Sequence, residues 1–229
     1  QRALYEARRR LIFDELFLLQ LGMQQFRQTW QSQPGIEIGV DTAVLAQFQQ
    51  SLPYTLTAAQ QRVIQEIASD LATNTPMNRL LQGDVGAGKT VVAAAALLLA
   101  TKAGYQTALM APTEILAEQH FNGLQPLLAP LGLRICLLTG STPAAEKSRI
   151  YADLASGQID LAIGTHALIQ DTVSFHNLAL AVVDEQHRFG VDQRKTQRDK
   201  GPSGGEFSPH LITMSATPIP RSLALSLYG

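Results

Sequence analysis

The sequence predicts an α/β fold, a mostly parallel sheet covered by helices on both faces and preceded by a long N-terminal helix. Three observations carry that expectation. From Arg79 onward, short apolar runs without polar alternation are separated by helical patterns, as strands buried on both faces require. A glycine-rich turn joins the first of these runs to the helical pattern after it. Ahead of them lies an uninterrupted apolar stripe at alternating spacings of four and three, the period of a helix.

Residues 1 to about 32 read as that one helix, with Ile12, Leu16, Leu19, Met23, Phe26 and Trp30 in the stripe and Leu11 and Leu18 widening it. It is expected to pack along its own domain, with a coiled coil as the alternative. The run Arg8 to Arg10 fits either a solvated face or a nucleic-acid contact. "SQPGIEIG" breaks the pattern at Pro34 and Gly35 and reads as a linker. "TAAQQRVIQEIASDLA" is a helix capped by Thr57, with Val63, Ile64, Ile67 and Leu71 on one face. The strand candidates are "RLLQ", "QTALMA", "RICLLT", "DLAIG", "LALAVVD" and "HLITMSA". Helical patterns between them are "KTVVAAAALLLATKAG", "TEILAEQHFNGLQPLLAPLG" and "PAAEKSRIYADLASG". Right-handed crossovers then bring the C-terminal ends of all strands to one edge, where ligands bind. "RDKGPSGGEFSPH", Arg198 to His210, reads as a surface loop.

Composition narrows the class. With 229 residues, 45% hydrophobic and 16% charged, the chain is globular, one large domain or a domain with an appendage. A net charge of −1 gives no global basic footprint. The single cysteine, Cys136, excludes an internal disulfide and a cysteine-rich metal site, and its apolar setting predicts a buried core thiol. "VVAAAALLLA" is too short to span a bilayer and no secretory signature opens the chain, so a cytoplasmic, membrane-free protein is expected. A start at Gln1 rather than Met suggests a piece of something longer.

Gly83-Asp84-Val85-Gly86-Ala87-Gly88-Lys89-Thr90 matches the phosphate-binding loop pattern in full, with an apolar strand before it and a helix after it. Glycines let successive N–H groups turn inward toward phosphate oxygens, and the following helix adds its positive end. Lys89 reaches the β and γ phosphates and the Thr90 hydroxyl ligates Mg²⁺. Such an enzyme also needs an acid for Mg²⁺ and a group acting on the attacking water. "LALAVVDEQH" offers both at a strand end: Asp184 for Mg²⁺, Glu185 for water. Solvated or capping acids are the alternative there. Ser215, Ala216 and Thr217 end a further apolar strand, where small hydroxyls can bond toward the acidic pair.

Together these segments resemble the first RecA-like lobe of a superfamily 2 helicase. "GDVGAGKT" is similar to motif I of that superfamily, "MAPTEILAEQH" to motif Ia, "DEQH" to motif II and "SAT" to motif III. More narrowly, "GDVGAGKTVVAAAA", "GTHALIQ", "DEQHRFGVDQR" and "SATPIPRSLAL" resemble the RecG-type bacterial ATP-dependent DNA helicases, which remodel stalled forks and Holliday junctions. "EARRRLIFDELFLLQLGMQQ" resembles the segment joining their DNA-binding wedge domain to the motor. Transcription-repair coupling translocases share "HRFGV" and "ATPIPR"-like runs, but generally carry a second Glu where this chain has Gln186.

The resemblance implies ATP and Mg²⁺ as cofactors and branched DNA as partner, in a bacterial cytoplasmic protein acting as a monomer. It implies Lys89, Asp184 and Glu185 as catalytic, Gln60 as the reader of adenine, and Gln186, His187, Ser215, Ala216 and Thr217 as the coupling set. Pro112, Thr113, Gly164, Thr165 and His166 would lie near the DNA backbone, which suits a motor stepping along any sequence. Arg188, Arg194, Lys195, Arg198 and Lys200 form a basic cluster that fits a DNA-facing patch or a solvated loop equally. Residues 1–50 are expected to be the helix linking an absent wedge domain to the motor, and 51–229 the first motor domain. Nothing after Thr217 resembles motifs IV to VI, so a second lobe with its arginine finger is expected elsewhere and the lobe alone should turn over ATP poorly. The competing classes are a small-molecule phosphotransferase, for which no arginine-rich lid is found, and a non-catalytic nucleotide-gated binding module.

Overall fold

The computed structural model describes residues 2–31, 34–184 and 207–216. The chain divides into two units, one holding the N-terminal helix and the other running from Pro34 to Pro218. Helix α1, Arg2–Gln31, spans the whole of the predicted stripe. On it Arg10 bonds Asp14 at 3.1 Å and lies over Phe13, whose ring stacks on Phe17 with centroids 6.0 Å apart.

Among the described residues, the second unit is built on six parallel strands: β1 (Asn78–Gln82), β2 (Gln106–Met110), β3 (Ile135–Leu138), β4 (Leu161–Gly164), β5 (Leu178–Asp184) and β6 (His210–Ser215). Their order across the sheet is β1-β6-β5-β2-β4-β3. Each matches one of the six apolar runs in the sequence. Helices α2 (Thr42–Ser51), α3 (Ala58–Leu71), α4 (Lys89–Lys102) and α5 (Glu114–Leu128) contribute Phe48, Ile64, Val92 and Leu124 to one core layer with Leu109, Leu180, Val182 and Ile212. The opposite face packs Ala108, Met110 and Ala162 against Ile150 and Leu154 of α6 (Ala144–Ala155). This is the RecA-like arrangement, a sheet covered on both sides.

Helix α4 explains the apolar run "VVAAAALLLA": Val91 to Ala100 are all buried. A helix apolar all round must be enclosed all round, and α4 packs on α2, α3, α5 and the sheet. Two sequence readings shift. The "SQPGIEIG" stretch is not a bare linker, because Ile36 and Ile38 are 5% and 0% exposed and belong to the core. Helix α2, which periodicity did not reveal, carries the fully buried Phe48. Cys136 is half-buried in β3, and burial, with Asp153 nearby, pushes its thiol up to about 12. Among the described residues, no helix is long and apolar enough to cross a membrane.

Candidate functional site

The loop from Gly83 to Thr90 leaves β1 at the C-terminal edge of the sheet. Gly86 and Gly88 adopt φ of 83° and 80°, left-handed backbone that glycine takes without strain. The Gly83 N–H donates to the Ser215 carbonyl at 3.3 Å and the Ala87 N–H to the Asp84 carbonyl at 3.1 Å. Gly88 caps α4 without a side-chain acceptor, which suits a helix end that receives an anion. Lys89 Nζ donates to the carbonyls of Gly83 at 2.7 Å and Asp84 at 3.0 Å, laying the ammonium across the loop. Asp84, Val85, Gly86 and Ala87 are exposed.

Gln60 is bound into the same structure. Its Oε1 accepts from the Thr57 N–H at 2.9 Å, while the Gln60 N–H donates to the Thr57 hydroxyl, a capping box at the start of α3. Its Nε2 donates to the Ala87 carbonyl at 3.1 Å. A Cβ on Gly88 would collide with that Nε2. Gln60 therefore braces the phosphate loop, a contact that sequence alone did not suggest. Beside it, at the N-terminal end of α3, opens a cleft of about 270 Å³ lined by Leu52, Tyr54, Leu56 and Gln61 among others. Tyr54 there is 54% exposed.

The acid and the small hydroxyl reach the same edge. β6 lies between β1 and β5, so the strands ending in Gln82, Ser215 and Asp184 are neighbours. Ser215 is buried and Ala216 follows half-buried. Side chains alternate along a strand, and Leu180 and Val182 point into the α4 layer, so Asp184 points to the same side. There it meets a residue that the sequence reading passed over: His120 Nε2 lies 2.7 Å from Asp184 Oδ2. The hydroxyl of Thr90 and the carboxylate of Asp184 are hard oxygen donors, the type Mg²⁺ selects alongside phosphate and water. Glu185, Gln186, His187, Thr217 and the basic cluster from Arg188 to Lys200 lie outside the described residues.

The candidate DNA residues follow β2 and β4. Thr113 is exposed and caps α5, its hydroxyl accepting from the Leu116 N–H at 3.3 Å; Pro112 is half-buried. Gly164 is buried, and a Cβ there would collide with the Leu138 carbonyl, so packing alone demands glycine. Thr165 is buried as well; His166 is exposed. Glu114, directly after the cap, was also missed. Its Oε1 accepts from the Ser141 N–H at 3.0 Å and its Oε2 from the Ser141 hydroxyl at 2.7 Å. That hydroxyl bond holds the Glu114 carboxyl below the usual carboxylate range. The loop after β3 is thereby clamped onto the first turn of α5.

A family model described as DEAD/DEAH box helicase matches residues 57–225. The chain belongs to that family. It is 54% identical over 225 residues to the ATP-dependent DNA helicase RecG of Synechocystis sp., covering 97% of this chain and 26% of that protein. With its Bacillus subtilis counterpart it shares 50% identity over 228 residues, 99% of this chain and 33% of that protein. Against a solved structure of RecG bound to a three-way DNA junction the TM-score is 0.85 at 46% identity, covering 98% of this chain and 30% of that one. A DUF1998 helicase, MrfA, shares the fold alone, with a TM-score of 0.62 at 18% identity. The chain thus spans about a quarter to a third of the length of these RecG proteins. Its resemblance to RecG-type ATP-dependent DNA helicases, inferred from motifs, holds along nearly its whole length.

Proposed function

We propose that the chain is the first motor lobe of an ATP-dependent DNA helicase acting on branched DNA in the bacterial cytoplasm. The observation that supports this best is the convergence of the phosphate loop, Asp184 and Ser215 on three adjacent strand ends. The backbone N–H groups of Gly83 to Thr90 would hold the phosphates of ATP, with Lys89 rotating from the loop carbonyls onto the β and γ oxygens. Thr90 and Asp184 would hold Mg²⁺, which neutralises charge on the transferring phosphate. Glu185 would orient the attacking water, and Tyr54 with Gln60 would face the adenine. Ser215 would sense the γ-phosphate, since its carbonyl already bonds the loop at Gly83. Thr113 and His166, exposed at neighbouring loop ends, would meet the DNA backbone, while Gly164 shapes the turn that presents His166.

Branched DNA is proposed as the substrate because the similar RecG structure is bound to a three-way junction. The decisive experiment measures ATP hydrolysis and junction unwinding by the full-length natural protein, alone and with junction DNA. We expect DNA to stimulate hydrolysis, and Lys89→Ala to lower it about 100-fold or more while the fold persists. Turnover indifferent to DNA, or surviving Lys89→Ala, would overturn the reading.

A further inference from the structure

His120 sits in the second turn of α5, on the stripe that buries Ala117, Leu124 and Leu128. Its side chain is 12% exposed and that of Asp184 14%, so their 2.7 Å contact is largely shielded from water. An ionised carboxylate can only accept, so the proton of this bond belongs to Nε2 of the imidazole. Gripping Oδ2 fixes the rotation of the carboxylate and leaves Oδ1 for a metal or its water. The same helix begins at the Thr113 cap, seven residues and therefore about 10 Å along the axis from His120. One rigid element thus carries both a candidate DNA contact and a hold on the candidate metal acid.

We propose that His120 is a positioning residue for the nucleotide's Mg²⁺, aiming Asp184 by donating from Nε2 to Oδ2 and tying that aim to the placement of α5. The inference rests on the reading of Asp184 as the acid that holds Mg²⁺. His120 touches neither nucleotide nor metal; it acts through Asp184. Packing is the rival role, and a ring without nitrogen distinguishes the two.

The test uses the full-length natural protein and a fluorescent ADP, with affinity read by anisotropy in the presence and absence of Mg²⁺. The quantity of interest is the gain in affinity that Mg²⁺ confers. His120→Phe keeps the ring's bulk and removes the donor; it should cut the gain about tenfold, the scale of losing a group that orients a metal ligand. Affinity without Mg²⁺ should stay at the natural value, and His120→Gln, whose amide can donate from a similar position, should recover most of the gain. A natural Mg²⁺ gain in His120→Phe overturns the inference, as does an equal loss of affinity with and without the metal, which marks packing. Asp184→Asn separates the two layers. If it removes the gain while His120→Phe does not, only the role of His120 falls. If it leaves the gain intact, the reading of Asp184 falls and the inference with it.

Discussion

Gly88 answers to two constraints, of which its neighbour Gly86 carries only one. Its φ of 80° is left-handed, and a Cβ would also strike Gln60 Nε2. Gly86 has a φ of 83° with nothing within 4 Å of the added carbon, so it carries the backbone constraint alone. Placing alanine in left-handed backbone costs about 1 kcal/mol, and both variants should lose that. Gly88→Ala must in addition push Gln60 off the Ala87 carbonyl and shift the phosphate loop. Losing one hydrogen bond to a charged phosphate, about 1.5–3 kcal/mol, weakens nucleotide binding about tenfold or more. Gly88→Ala should therefore bind ADP more weakly than Gly86→Ala, and the loss that Gly88→Ala causes should be smaller in a Gln60→Ala background, where the collision is absent. Isothermal titration of Gly86→Ala, Gly88→Ala, Gln60→Ala and the Gly88→Ala, Gln60→Ala double variant checks this. Strict additivity between Gly88→Ala and Gln60→Ala would show that the brace does not exist.

At the scale of elements, the central question is why α4 can be apolar on every side, and α2 is part of the answer. It lies against α4 and contributes Phe48, which is 0% exposed. Truncating a buried phenylalanine costs about 3–5 kcal/mol. At about 2–4 °C per kcal/mol for a unit of this size, Phe48→Ala should lower the melting temperature by about 10 °C. An unchanged melt would mean that α2 does not fold with the rest. The segment was hard to read because "TAVLAQFQQS" offers only Val44, Leu45 and Phe48 as large apolar residues, among alanines and polar neighbours. The legible sign was its cap, since Asp41 accepts from the Ala43 N–H at 2.8 Å. The six strands were readable for the opposite reason: a strand buried on both faces is written as a continuous apolar run. The phosphate loop and Asp184 were readable because their chemistry is contiguous in sequence. His120 and Asp184 are 64 residues apart, and Glu114 and Ser141 27 apart. Those pairs depend on how α5 is rotated against the sheet, which no local pattern states.

Across the Pro34 to Pro218 unit, the two edges of the sheet are built differently. The C-terminal edge carries the exposed loops of the candidate site; the N-terminal edge is stitched by polar side chains. There Gln106, 3% exposed, donates to the carbonyls of Leu154 and Ile159 and accepts from the N–H groups of His176 and Asn177. All of its amide capacity is used, as burial demands. His210, 0% exposed, does the same for the segments that precede β1. Its Nδ1 accepts from the Met77 N–H at 3.0 Å and its Nε2 donates to the Ile36 carbonyl at 2.6 Å. This pair of bonds requires a neutral ring. Burial accordingly lowers its affinity for a proton below the ordinary histidine value, while the Ile36 carbonyl and the charge of Asp70 pull weakly the other way. The unfolded chain takes up that proton below about pH 6.5, whereas the folded one resists it until lower pH. The contribution of neutral His210 is therefore complete above about pH 6.5 and is lost as pH falls from there toward the folded value, by at most about 1.4 kcal/mol per pH unit. His210→Gln keeps a donor and an acceptor but cannot titrate. It should melt below the natural protein at pH 7, and the gap should narrow by a few degrees by pH 5. Thermal melts of both proteins at pH 7, 6 and 5 check this. A gap that stays constant across the series would show that His210 does not take part in acid destabilisation.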